Sequence, residues 1–132
     1  MIEEHDAAEG RVFRQNPLIH RDSRFPLWSR NFGDYDVILY SCNWPTSRIG
    51  QLSALLRARA IENQCYAIGV NRAGADDFGV YPGHSAIITP YGETLIQTDD
   101  KAQMLCADLD MEQLARFRAK FPVLQDADRN ER

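Results

Sequence analysis

Three observations predict an α/β fold, of mixed α/β (α+β) type, in one domain. Val37-Ile38-Leu39-Tyr40-Ser41-Cys42 is an apolar, β-branched run bounded by turn signals, the pattern of a strand covered on both faces. The stretch ending Leu55-Leu56-Arg57-Ala58-Arg59-Ala60-Ile61-Glu62-Asn63-Gln64 is built from good helix formers, with Leu52, Leu56 and Ala60 on one stripe. Cys65 to Val70 then follows without a break as a second apolar run. A strand, a helix and a strand in this order make a crossover unit whose strands are parallel. With 132 residues, 44% of them hydrophobic, the chain can bury one core of ordinary size.

Before this unit, Met1 to Gly10 is polar and acidic and is expected to fray. In Arg11 to Ile19, Pro17 limits any strand to an edge or an abrupt start. His20 to Pro26 reads as a polar turn, and Leu27 to Asn31 as one short helix. Ser47 is placed to cap the central helix. Asn71 to Gly83, rich in Gly, Asp and Pro, is expected to be a surface loop near the strand ends. His84 to Thr89 and Glu93 to Thr98 flank Pro90-Tyr91-Gly92, which predicts an antiparallel hairpin. Ala102 to Leu109 reads as a third strand, and Asp110 with Gln113 opens a helix running to Lys120, stopped by Pro122. Residues 125–132 form a polar tail expected to be mobile.

Composition narrows the function classes. A net charge of -4 and a pI near 5.3, with no basic run, lack the footprint of a nucleic-acid binder. No apolar stretch has the length of a membrane span, and the acidic opening is unlike a signal peptide, so a cytoplasmic protein without membrane or nucleic-acid partners is expected. Cys42, Cys65 and Cys106 are an odd number without paired spacing, which suggests neither a disulfide framework nor a zinc site.

The residues offer thiols but no evident catalytic set. His20, Asp22 and Ser23 lie close in sequence, yet nucleophilic triads are assembled from separate loops and defined by geometry. Cys42 falls at a strand's C-terminal end beside Asn43, where open α/β sheets place ligands; a small buried filler is the ordinary alternative. Arg59 lies one turn from Glu62 and Asn63, and this trio reads either as a junction fixing the exit of the strand or as a solvated helix face.

An ordered series of motifs adds what spacing alone does not. Asp22-x-Arg24-Phe25-Pro26-x-Trp28-Ser29-Arg30-Asn31, Tyr35-Asp36 before a strand, Asn43-Trp44-Pro45, Leu56 to Gln64, Gly69-x-Asn71-Arg72-x-Gly74, Gly83-x-Ser85 and Pro90-x-Gly92-Glu93 together resemble the nitrilase superfamily of carbon–nitrogen hydrolases. Within it the pattern is most similar to bacterial omega-amidases, as is the ending Phe121-Pro122 with Gln125-Asp126-Ala127-Asp128. The resemblance implies part of an α-β-β-α sandwich, a homodimer, a Glu-Lys-Cys site without cofactor or metal, and hydrolysis of the terminal amide of small 2-oxo acid amides.

It also marks a departure. The chain resembles the C-terminal half alone, a single partial domain over residues 1–132, with the family's glutamate and lysine expected upstream of Met1. Where the family has its nucleophilic cysteine, the aligned segment reads His20-Arg21-Asp22-Ser23-Arg24-Phe25-Pro26. The resemblance therefore puts His20 at the nucleophile position, the backbone N–H of Arg21 at an oxyanion donor, and Asn43, Trp44, Pro45 and Thr46 along the substrate. It makes Asp22, Arg24, Arg59, Glu62 and Asn63 polar parts of the scaffold. Two functions follow: an amidase by descent that is inactive as this chain, or a non-catalytic binding or interaction domain built on the same scaffold.

Overall fold

The computed structural model describes residues 2–6 and 11–19 by their strand pairing, and residues 23–128 in full. Six strands form one sheet in the order β1-β2-β3-β4-β7-β8, with β1 Ile2–Asp6, β2 Arg11–Ile19, β3 Val37–Cys42, β4 Tyr66–Asn71, β7 Ala86–Ile88 and β8 Thr94–Gln97. The strands β2, β3 and β4 run parallel, in the register Ile19↔Ser41↔Val70, and the remaining neighbours are antiparallel. A separate hairpin pairs β5 (Ala73–Asp76) with β6 (Gly79–Pro82).

The crossover helix α1 (Ile49–Glu62) buries Leu52, Leu56 and Ala60 against Ile38, Tyr40, Ala67, Ala86 and Ile88. Gly69 gives it room, since a Cβ there would lie 2.6 Å from Leu56 Cδ1. The helix does not run straight into β4. It ends at Glu62, and Gln64 takes a left-handed φ of 42° that turns the chain before Tyr66. The second helix, α2 (Met111–Lys120), lies on the other face, where Leu114 packs with Val37 and Tyr66. Asp110 caps it, its carboxylate accepting the Gln113 N–H at 2.9 Å. The expected hairpin is present: the Gly92 N–H donates to Thr89 O, and Gly92 holds φ 86°.

Several expectations are corrected. The opening residues do not fray over Ile2–Asp6, which pair with Arg11–Gln15, because main-chain pairing is indifferent to their polar side chains. Residues Arg11–Ile19 form a nine-residue strand second in the sheet; Pro17 falls in the half that β1 leaves unpaired, where a missing N–H interrupts no ladder on that side. Leu27 to Asn31 forms turns, not a helix. Ser47 lies in a 3-10 turn (Thr46–Arg48), and α1 begins with no side-chain cap. The loop after Asn71 folds as the β5–β6 hairpin, closed by the Asp76 carboxylate accepting the Phe78 and Gly79 N–H groups. Ala102 to Leu109 is not a strand: it gains no sheet pairing among the described residues and leaves Met104 89% exposed. The tail begins inside a 3-10 turn, Val123–Asp126, and 129–132 lie outside the described residues.

Candidate functional site at the ends of the parallel strands

Parallel strands aligned in register bring their C-terminal ends to one edge of the sheet. Here β2 ends at Ile19, β3 at Cys42 and β4 at Asn71, so the segments after Ile19 and after Cys42 leave neighbouring strands on the same side. Those segments contain the residues predicted from the sequence. His20, Arg21 and Asp22 themselves lie outside the described residues, while Ser23 beyond them is buried and its carbonyl accepts Arg59 Nε–H at 2.8 Å.

The segment Asn43 to Thr46 is split by burial. Asn43 and Thr46 are exposed and Pro45 is partly covered, whereas Trp44 is 3% exposed and belongs to the core. Its indole nitrogen is buried without a hydrogen-bond partner among the described residues. The Arg24 guanidinium lies 4.6 Å from the indole centroid and donates to Gln51 Oε1 at 2.6 Å. Asn43, Pro45 and Thr46 are thus the open part of this wall segment and Trp44 its buried part. Thr46 Oγ1 donates to Val80 O at 3.2 Å, which fastens the β5–β6 hairpin to this wall.

A residue to which the sequence reading gave no role holds the wall in place. Asn71, at the end of β4, is buried; its Oδ1 accepts the Trp44 N–H at 2.7 Å and its Nδ2 donates to Trp44 O at 3.0 Å and to Gly83 O at 2.8 Å. Its own main-chain N–H donates to Ser85 Oγ at 2.8 Å. The available signal was a carboxamide closing an apolar strand, since an amide side chain can pair with a peptide unit through donor and acceptor together.

Arg59, Glu62 and Asn63 form a junction, not a solvated face. Arg59 is 6% exposed, and its NH1 donates to Glu62 Oε1 at 2.9 Å, while Arg30 approaches Glu62 at 3.7 Å. Asn63 Oδ1 accepts the Asn31 N–H, and Asn31 Nδ2 donates to Asn63 O. Arg118, likewise without a predicted role, ties α2 to the same region through Asp36 Oδ1, Tyr35 O and Gln64 O.

Cys42 stands at the strand end, as expected, but burial pushes its thiol up to about 12. Burial raises the Cys65 thiol as well, opposed by the nearby Arg118. Neither is a thiolate at neutral pH, so neither serves as an activated nucleophile. Among the described residues no group of three or more His, Cys, Asp or Glu is placed to hold a metal ion, and no helix is long and apolar enough to cross a membrane.

Residues 8–119 match the family model for carbon–nitrogen hydrolases. The chain belongs to the carbon–nitrogen hydrolase family. This carbon–nitrogen hydrolase chain is 49% identical over 122 residues to the omega-amidase YafV of Escherichia coli K12, covering 91% of the chain and 48% of that protein. It is 44% identical to the YafV omega-amidase of Yersinia enterocolitica, covering 96% of the chain and 50% of the relative. The 2-oxoglutaramate amidase of Bacillus subtilis is 35% identical, over 86% of the chain and 44% of the relative. In structure it is similar to XC1258 of Xanthomonas campestris, a carbon–nitrogen hydrolase superfamily protein described with an arsenic adduct in its active site: the TM-score is 0.86 at 32% identity, over 100% of this chain and 52% of that one. The nitrilase-like α/β fold and the likeness to omega-amidases expected from the motifs are therefore borne out. The chain spans about half the length of the curated relatives it matches.

Proposed function

We propose that this chain forms the substrate wall and scaffold of an omega-amidase-like site: it binds small 2-oxo acid amides such as 2-oxoglutaramate and, as this chain, does not hydrolyse them. The observation that supports the reading is that β2 and β3 run parallel and end side by side, Ile19 opposite Ser41, one residue pair before Asn43 to Thr46 begins. Relatives at 44–49% identity are omega-amidases, which supports this substrate class. Hydrolysis of an amide needs a nucleophile, a proton acceptor and oxyanion donors together. The aligned nucleophile position carries His20, and the buried thiols of Cys42 and Cys65 are protonated. Arg21 would supply an oxyanion donor through its backbone N–H, which no side chain replaces. No cofactor enters this chemistry, and the expected setting is the cytoplasm.

The same reading includes a homodimer. On the sheet face away from α1, Leu39, Ile68, Ile87 and Ile96 stand in one paired row and are only partly covered, and Val70 is 55% exposed. Such a face favours association, and a stable, well-folded monomer in sedimentation at micromolar concentration would count against the dimer.

The test of catalysis is ammonia release from 2-oxoglutaramate by the chain, by His20→Cys and by His20→Ala. All three are expected to be silent, because a nucleophile at position 20 works only with a proton acceptor and oxyanion donors gathered around it. Activity in the original chain that vanishes in His20→Ala would overturn the non-catalytic reading.

A further inference from the structure

We propose that Asn71 is a positioning residue, whose buried carboxamide sets the height of the Asn43 to Thr46 wall above the strand ends. This rests on the reading of that segment as the substrate wall, but its structural part stands without it. Asn43 to Pro45 is irregular backbone between β3 and a 3-10 turn, with no ladder of its own. An irregular segment beside a site needs its peptide groups satisfied from elsewhere. Asn71 supplies this by presenting acceptor and donor to the N–H and C=O of Trp44, as a neighbouring strand would.

Two further contacts make the carboxamide a fixed support. Its third hydrogen bond, to Gly83 O, joins the wall to the chain entering β7, and Gly83 sits at φ 69°, where an added Cβ would lie 2.5 Å from Asp99 O. The Asn71 main chain is itself locked by Ser85, whose hydroxyl accepts Asn71 N–H and donates to Asn71 O. Ser85 N–H in turn donates to Thr98 Oγ1 at 2.8 Å. The wall is thus referenced through one buried amide to β4 and to the β7–β8 hairpin. Neither aspartate nor a smaller residue can reproduce this, since the site needs one acceptor and two donations from the same planar group.

The experiment uses the full chain labelled with nitrogen-15. In the original protein the Trp44 main-chain N–H should exchange with solvent as slowly as the amides of β3, although it lies in a loop. In Asn71→Asp both donations become contacts between a carboxylate oxygen and the carbonyls of Trp44 and Gly83, whose repulsion pushes the Trp44 peptide off its support, so Trp44 N–H exchange should rise about tenfold to hundredfold. The β3 amides should change much less, which separates positioning from a general loss of stability. In a Trp28→Phe background, which leaves Trp44 as the sole tryptophan, acrylamide quenching should increase in Asn71→Asp in step with the exchange. Unprotected Trp44 N–H in the original chain would overturn the proposal even if the variant failed to fold. So would unchanged protection in a folded Asn71→Asp. A titration with 2-oxoglutaramate completes the set: weaker binding to Asn71→Asp supports the positioning role, and equal binding by both proteins overturns it. Absence of binding by the original chain would refute the substrate reading and leave the exchange result to decide the role of Asn71.

Discussion

Replacing Arg59 with methionine separates a buried junction from a solvated helix face. The substitution keeps most of the apolar stem and removes a donor to Ser23 O at 2.8 Å and one to Glu62 Oε1 at 2.9 Å. A hydrogen bond made by a buried charged group contributes about 1.5–3 kcal/mol, so the two set a ceiling of about 3–6 kcal/mol. Glu62 reduces the loss, because its side chain is 27% exposed and can recover water, with Arg30 still 3.7 Å away. The net destabilisation should be about 2–4 kcal/mol, read as a lower urea midpoint at constant slope. A double variant with Glu62→Gln should cost less than the sum of the two single changes by about 1 kcal/mol. A loss below about 0.5 kcal/mol is what an exposed ion pair gives, and it would refute the buried junction.

Other perturbations test the rest of the scaffold. At pH 8 a disulfide reagent should label Cys106 quickly and leave the buried Cys42 and Cys65 until the chain is denatured; rapid labelling of more than one thiol would contradict the core. Stability should fall with alkali. The Cys42 thiol ionises near 9.0 when free of the fold and near 12 within it, so the folded state holds the extra proton between these values, and its contribution is complete below pH 9 and lost towards 12. A urea midpoint equal at pH 8 and pH 10.5 would refute this. Gly69→Ala should destabilise by about 1–3 kcal/mol, because the new Cβ meets Leu56; a neutral effect in thermal melts would show that α1 yields without cost.

Much of the site was legible because its framework is local in sequence. The β3–α1–β4 unit announces itself through apolar runs and a helix stripe, and parallel pairing follows from the crossover. From this alone the ends of β3 and β4 were known to meet. The position of β2 beside them was not, because Pro17 argues against a strand until the partial pairing by β1 is seen. Ala102 to Leu109 failed for the converse reason: its composition suits a strand, but a strand needs a partner edge, which composition does not reveal. Asn71 stayed silent because a carboxamide has value only through what faces it, and Trp44 is 27 residues away. The motif series indicated that Asn71 belonged to a pattern without indicating what it held.

The most direct test of the substrate wall is a titration of the nitrogen-15-labelled chain with 2-oxoglutaramate, followed residue by residue in its amide spectrum. Shifts should be concentrated at Asn43, Trp44 and Thr46, and at Arg72, whose main-chain N–H donates to Cys42 O just before the wall. Shifts confined elsewhere, such as the pocket of about 140 Å³ between α1 and the β7–β8 hairpin lined by Ile49, Ser53, His84 and Gln97, would contradict it. A spectrum unmoved at millimolar ligand would contradict it as well.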